Sequence, residues 1–422
     1  MSLVSFADVV HQSISFDPST PCGSLILELL DTKWMQRLRD ISQTANTRLV
    51  FMFSEHSRFG HSLGVAYLSN LLMEKLARHF KEDIEKYRLA VCAASLLHDL
   101  AHIAPGSHTA YKTWFPGQKD EHETLLLRVL SEDQEISSIL LNKGSDLLEQ
   151  VQAIISESNE VPPWTWELIS GGGWNADRGN WCVVDSILAG VSYGKYNIPA
   201  LIESIVLTPK KHLALKENRL DAMMHFAVSR HALYKQLYQH RVLLAADMLN
   251  KAIVQRARDL SSKLNFADDT MQEVLRAKGV KELSLRAIFR MSEAWWRYHL
   301  YQWRDSKDTI LSDLCTRLLF RELLKTVRVQ ENEDSEETRE YAKECVIKAG
   351  FDPRYYFHEV STFDTQSGDM GHSMKVLMDN GNLLKLSEAE PLFEALIKES
   401  ANSKKHWFVM PSEAKILMGR KR

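Results

Sequence analysis

The chain has 422 residues, 45% of them hydrophobic and 25% charged, with a formal net charge of −3. That is enough for one large core or two to three domains, and it excludes the polyelectrolyte character of a bulk nucleic-acid binder. No apolar run approaches a membrane span, and the N-terminus lacks a basic region followed by an apolar core, so neither an anchor nor a signal peptide is expected. Five cysteines (Cys22, Cys92, Cys182, Cys315, Cys345) are far apart, odd in number and without a CxxC. No disulfide framework or zinc finger is expected from them, and a reducing, cytoplasmic setting fits best.

Residues 1–23, with Pro18 and Pro21, read as a loop or short hairpin. The pattern turns helical at Gly23, with a boundary at Asp31-Thr32. Apolar periodicity predicts helices over 62–81 and 86–99, the second ending on His98-Asp99. Pro105-Gly106 and Pro116-Gly117 mark loops, and Glu121-His122-Glu123 opens the next helical stretch. Residues 136–157 read as helix, and Pro162-Pro163 and Gly171-Gly172-Gly173 bracket a loop before Asp177. A helix is expected near 198–206, then a basic stretch at Pro209-Lys210-Lys211, then a long helix from Leu220 to Leu260. Residues 282–303 carry Trp295, Trp296, Tyr298, Tyr301 and Trp303 beside Arg297. Such a run can stack single-stranded nucleic acid, but its spacing fits a buried or oligomer-facing helix better. Gln330 to Glu340 reads as a solvated acidic loop or linker. Short strands are expected in the remainder, around Tyr355-Tyr356-Phe357 and Ser373 to Leu377. The fold class is mainly α, with small peripheral β elements.

His61, the His98–Asp99 pair and Asp177 are the most informative residues. A lone histidine on an apolar helix is usually a satisfied core residue. Here several ionisable groups stand inside apolar runs, and Asp99 follows Ala93-Ala94-Ser95-Leu96-Leu97, which should be buried. A buried carboxylate needs a cation or a metal. Two imidazoles and two carboxylates suit Fe, Mn, Zn or Mg. His102, at i+4 from His98, would share its helix face if the helix continued.

Several segments together resemble the HD-domain phosphohydrolases and, within them, the deoxynucleoside triphosphate triphosphohydrolases. They are Leu30 to Gln43, Arg58-Phe59-Gly60-His61-Ser62-Leu63-Gly64-Val65, Ser95 to His102, Ala176-Asp177-Arg178 with Asp185-Ser186, and Arg230 with Tyr238-Gln239-His240-Arg241. The resemblance implies an HD helical bundle over 24–260 after a lead-in at 1–23. A mostly helical region at 261–422 would serve regulation or oligomerisation. It implies that His61, His98, Asp99 and Asp177 ligate one divalent metal, and that a dNTP is hydrolysed to deoxynucleoside and tripolyphosphate. His102, His108 and His122 resemble catalytic histidines, suited to the task by an ordinary pKa near working pH. Arg58, Arg178 and Arg230 resemble phosphate contacts, and Gln43, Trp181, Asp185, Tyr238 and Gln239 sugar and base contacts. Asp31, Gln36, Arg39, Lys216, Arg321 and Lys325 resemble positions that bind a nucleotide activator, although a helix-start cap is an adequate account of Asp31. A homo-oligomer, dimer or tetramer, is expected.

Departures from the pattern bear on the substrate. The loop from Ile103 to His108 is one residue longer than usual, and Tyr111 stands where an acid usually orients the loop histidine. Gly60 replaces a glutamate, Trp181 a tyrosine, and Thr44 an apolar residue. An HD phosphohydrolase acting on another nucleotide, and a nucleotide-sensing or nucleic-acid-binding module without catalysis, are the competing readings.

Overall fold

The structure, a computed structural model, describes residues 2–106, 109–118, 121–330, 335–362, 374–402 and 405–419. The lead-in is an antiparallel hairpin of β1 (Val4–Asp8) and β2 (Gln12–Phe16). Helix α1 (Pro21–Leu30) begins where the Thr20 side chain accepts from the Gly23 amide, with Pro21 at a position that needs no N–H. Asp31 ends α1 instead of starting a helix. Thr32 caps α2 (Lys33–Arg37) by accepting from the Met35 amide, which corrects the capping role expected of Asp31.

Helix α3 (Arg58–Leu97) is two helices joined across a kink, as expected over 62–81 and 86–99. It bends at Phe80, whose φ of −133° and ψ of 46° leave the helical region. No proline or glycine sits at the bend, so sequence periodicity placed a gap there without a breaker. Both halves are apolar and buried, while the charged middle stands largely in solvent. The helix stops at Leu97, and Leu100 and His102 amides donate to the carbonyls of Leu97 and Asp99 in tight turns. His98 and His102 therefore do not share a helix face, contrary to expectation.

Short α4 (Ala110–Trp114), then α5 (His122–Glu132), α6 (Gln134–Lys143) and α7 (Leu147–Ile155) follow, so 136–157 is two helices. After α8 (Trp164–Glu167), Asn175 caps α9 (Ala176–Leu188) by accepting from the Arg178 amide. Helix α10 (Ile198–Ser204) runs into β3 (Ile205–Leu207), which pairs with β4 (Leu213–Lys216). The expected helix over 220–260 is divided. α11 (Leu220–Leu233) gives way to a π-helical turn at Tyr234–Tyr238, and α12 (Arg241–Leu260) follows. Such single π turns recur at functional sites.

The C-terminal part continues with α13 (Asp269–Arg276), α14 (Leu285–Arg290), α15 (Glu293–Arg304) and α16 (Thr309–Leu319), then β5 (Lys325–Val329). Within the stretch expected as a loop, Glu336 to Glu340 instead open α17 (Glu336–Lys348), with Ser335 as its cap. After α18 (Pro353–Tyr356) come β6 (His358–Thr362), β7 (Lys375–Leu377), β8 (Leu383–Lys385) and β9 (Lys405–Met410). Strand β7 pairs in parallel with β4, giving the sheet order β3-β4-β7-β8, and β9 lies between β5 and β6. The segment at β7 thus returns to the β3–β4 pair, while β9 stays with the C-terminal strands.

Helix α3 is the axis of the core, packed against α1, α7 and α9. Leu63, Leu68, Leu72, Val91 and Leu96 along it are buried, each such side chain contributing about 1.5–3 kcal/mol. Cys22 and Cys92 are bridged, which joins α1 to α3 and corrects the expectation of unpaired thiols; Cys182, Cys315 and Cys345 are free and buried. On α15, Trp296, His299, Leu300 and Trp303 face inward while Tyr298 and Tyr301 remain exposed, as expected of a packing helix. The fold is mainly α.

Candidate active site

Three helix ends converge on one buried point. His61 comes from the first turn of α3, His98 and Asp99 from just beyond its last turn, and Asp177 from the first turn of α9. His61 Nε2 lies 3.1 Å from Asp177 Oδ1 and 3.5 Å from Asp99 Oδ2. His98 Nε2 lies 3.6 Å from Asp99 Oδ1 and 3.8 Å from Asp177 Oδ1. The Ser95 carbonyl, 2.9 Å from His98 Nδ1, can only accept, so it holds the proton on Nδ1. Asn180 Oδ1 stands in the same relation to His61 Nδ1, also at 2.9 Å. Both Nε2 atoms are buried without a hydrogen-bond partner. Two imidazole nitrogens facing two carboxylates form a donor set that fits a divalent ion, which would take the place of a proton on them.

The charges explain the pKa shifts. Burial disfavours charge on His98, but Asp99 and Asp177 outweigh it and raise the pKa to about 9. Burial opposes ionisation of Asp99 as well, yet Arg58, then His98 and His102, hold it well below the usual carboxylate range. Asp177 is depressed in the same way, by His61 and His98. Burial, with the positive charge of Arg58 and His122, pushes His102 down to about 3. His102 is therefore a neutral imidazole, with Nε2 3.1 Å from Asp99 Oδ1 and Nδ1 buried without a partner. Its ring stacks on His122 of α5 at 4.3 Å. Asp99, His102 and His122 bring one potential ligand atom each within 4.8 Å of one another.

A cavity of about 340 Å³ opens from this point, lined among others by His98, Asp99, His102, His122 and Asp177. Arg58, Arg178 and Arg230 line it too, on three different elements. Arg58 also binds Asp99, Nη1 to Oδ2 at 2.5 Å, so its first partner is a carboxylate of the site. Arg178 donates to the Gly172 and Gly173 carbonyls, and Arg230 lies over the Tyr234 ring at 4.7 Å. At the far end Gln43, Trp181, Asp185, Tyr234 and Tyr238 form the wall. Trp181, Tyr234 and Tyr238 meet edge to face at 5.0–5.9 Å. Burial and the Asp185 charge hold the Tyr238 hydroxyl protonated, and it donates to Asp185 Oδ2.

Not every expected residue joins the cavity. Gln239 follows the π turn and does not line it. His108 lies outside the described residues. Tyr111 is buried and donates its hydroxyl to the Ala101 carbonyl at 2.8 Å, so it pins the loop backbone. Gln36 donates to the Leu30 carbonyl, Arg39 donates to Gln36 and covers the Phe59 ring, and none of Asp31, Gln36 and Arg39 lines the cavity. Arg321 and Lys325 line a second cavity of about 200 Å³ with Arg241 and Lys415. Lys216 lines neither and stands beside Lys75.

Three residues escaped sequence reasoning. His56 binds Asp185, Nε2 to Oδ1 at 2.7 Å, and nothing in its local sequence marks it. Tyr234 lies one turn beyond Arg230. Asn180 lies three residues after Asp177, hence on the same face of α9. Gly64 makes room for it, because a Cβ there would sit 2.1 Å from Asn180 Nδ2. Asn180→Ala is expected to weaken divalent-metal affinity by about 10–100-fold, as outer hydrogen-bond partners of metal-binding histidines do. Chelator competition measures it, and unchanged affinity would show that Asn180 does not orient His61.

Residues 58–206 match the HD domain family. An uncharacterized protein of Bacillus subtilis, YwfO, is 28% identical over 402 residues, covering 93% of this chain and 88% of that protein. The deoxynucleoside triphosphate triphosphohydrolase SAMHD1 of Gallus gallus is 27% identical over 269 residues, 56% of this chain but 42% of that protein. A solved phosphohydrolase from Bacteroides thetaiotaomicron superposes with a TM-score of 0.79 at 21% identity, covering 96% of this chain and 99% of its own. That similarity speaks for the shared fold.

Proposed function

We propose that the chain is a metal-dependent phosphohydrolase that cleaves deoxynucleoside triphosphates to deoxynucleoside and tripolyphosphate. The carrying observation is that a single cavity is lined by His98, Asp99 and Asp177 of the donor set, three arginines and the Asp185–Tyr238 pair, with His61 buried directly behind Asp99 and Asp177. A divalent ion held by those four residues would supply water activation and polarisation of the α-phosphate. Arg58, Arg178 and Arg230 would neutralise the triphosphate. Neutral His102 offers Nδ1 as a proton acceptor beside the reacting phosphorus, and His122, stacked against it, would protonate the departing 5′-oxygen. Asp185, already held by His56 and Tyr238, would accept from the 3′-hydroxyl, and the Tyr238 ring would crowd a 2′-hydroxyl. Trp181 narrows that end relative to a tyrosine and bears on the choice of base.

The basic second cavity at Arg241, Arg321, Lys325 and Lys415 supports binding of a nucleotide activator. We take Asp31, Gln36, Arg39 and Lys216 as further contacts that assembly into a homo-oligomer would bring to it. The chain would then comprise a lead-in at 1–23, a catalytic domain at 24–260 and a regulatory region at 261–422.

Each dNTP and NTP, singly and in mixtures with Mn or Mg, should be tested for tripolyphosphate, pyrophosphate and orthophosphate. Tripolyphosphate from dNTPs is the expected product. Orthophosphate alone would redirect the reading to another nucleotide reaction, and no product from any mixture would overturn the enzymatic assignment.

A further inference from the structure

Residues 288–293 lie outside the matched HD segment, yet they hold the loop that follows Asp99. The Ala104 amide donates to the Met291 carbonyl at 2.9 Å. Buried Arg37 donates from Nη1 to the His102 carbonyl at 2.8 Å. Its Nε and Nη2 donate to the carbonyls of Phe289 and Ile288 at 2.7 and 2.9 Å. One guanidinium therefore ties the loop to the α14–α15 turn.

Glu293, the first residue of α15, completes the connection. Its Oε1 accepts from the Gly106 amide at 2.5 Å, and the Ser42 backbone N–H stands close enough to its carboxylate to favour the charged form. Gly106 is needed for this approach, because a Cβ there would lie 2.2 Å from the Ser42 carbonyl oxygen and 2.7 Å from its nitrogen. Ser42 precedes Gln43, which lines the cavity, and Gly106 follows His102 by four residues. Two neighbouring loops, each next to a cavity-lining residue, thus meet at one acid. Burial raises the Glu293 pKa, and the two amides and Arg48 oppose that rise. A carboxylate accepting from backbone amides gives charge-assisted bonds stronger than neutral ones.

We propose that Glu293 is a positioning residue that sets the Gln43 loop and the His102–Gly106 loop at one spacing beside the active site. The inference rests on reading this cavity as the hydrolytic site. A glutamine would turn an N–H toward one of the two amides, and an aspartate would fall short by one methylene.

Hydrogen–deuterium exchange tests the clamp without any substrate. In Glu293→Gln, amides of 100–106 and 41–44 are expected to exchange about tenfold faster, while those of α9 stay unchanged. With dNTP, kcat is expected to fall about 10–100-fold at unchanged metal content and melting temperature, as small misplacements near a reacting centre do. Glu293→Asp should recover part of the loss. Exchange and kcat indistinguishable from the parent would overturn the proposal, as would a kcat loss that only tracks lost metal. Gly106→Ala keeps the acid but wedges the two backbones apart, so it should give the same pattern. It carries the test if Glu293→Gln does not fold, and parent-like behaviour in it counts against the clamp. If the parent hydrolyses no nucleotide, the functional reading fails while exchange still judges the clamp.

Discussion

A double variant, His98→Ala with Asp99→Ala, is expected to lose bound metal and nucleotide turnover together, both to background. The two residues supply half of the four-residue donor set, and each has a second task. Asp99 faces His61, His98 and His102 and also accepts from Arg58. His98 presents a buried Nε2 that nothing else satisfies. With both removed, His61 and Asp177 are what remains of the set, 3.1 Å apart. Two ligands do not hold an ion that four can hold. Metal analysis of the purified variant beside the phosphate-product assay is the measurement. Turnover that survives metal loss would place the chemistry elsewhere.

Arg58→Ala is expected to destabilise the metal-free protein by about 3–5 kcal/mol, the usual cost of removing one partner from a buried ion pair. Both side chains are 7% exposed and meet at 2.5 Å. Without the guanidinium, the Asp99 carboxylate loses the largest positive influence on it. A divalent ion bound beside Asp99 would replace that charge. The deficit should therefore shrink when the variant is saturated with Mn and persist in a chelator. Denaturant unfolding of parent and variant under both conditions reads this directly. An equal deficit with and without metal would separate Arg58 from the metal centre.

Much of this site was legible before any coordinates. His98 and Asp99 are adjacent in an apolar run that had to be buried, and a buried acid demands a positive partner. His61 and Asp177 stood in segments whose order and spacing carried the resemblance. Arg58, Arg178, Arg230, Trp181, Asp185 and Tyr238 line one cavity with His98, Asp99 and Asp177. Gln239 came with the same resemblance, but it follows the π turn and does not line the cavity. His56 and Asn180 were invisible for another reason. Their roles consist of hydrogen bonds to Asp185 and His61, across 129 and 119 residues of sequence. No local pattern encodes such a pairing.

The fold divides in the same way. Periodicity placed most helices, because burial of one face repeats every few residues along the chain. It separated the two halves of α3 on either side of the charged middle, where Phe80 breaks the helix. It could not tell that the second half stops at Leu97, one residue before His98. That stop is what turns His102 back toward Asp99. The pairing of Cys22 with Cys92 and the helix over Glu336–Lys348 were likewise outside its reach.

The sequence by itself determined the chemistry: which imidazoles, carboxylates and guanidiniums are present, in apolar surroundings where each must find a partner. Only the tertiary structure decided how they are held. Asn180 aims His61, His56 and Tyr238 hold Asp185, and Glu293 joins two loops from a helix far along the chain. Ionisation and ligand type are properties of a residue and its immediate neighbours. Orientation comes from contacts between distant segments, and those exist only once the core has closed.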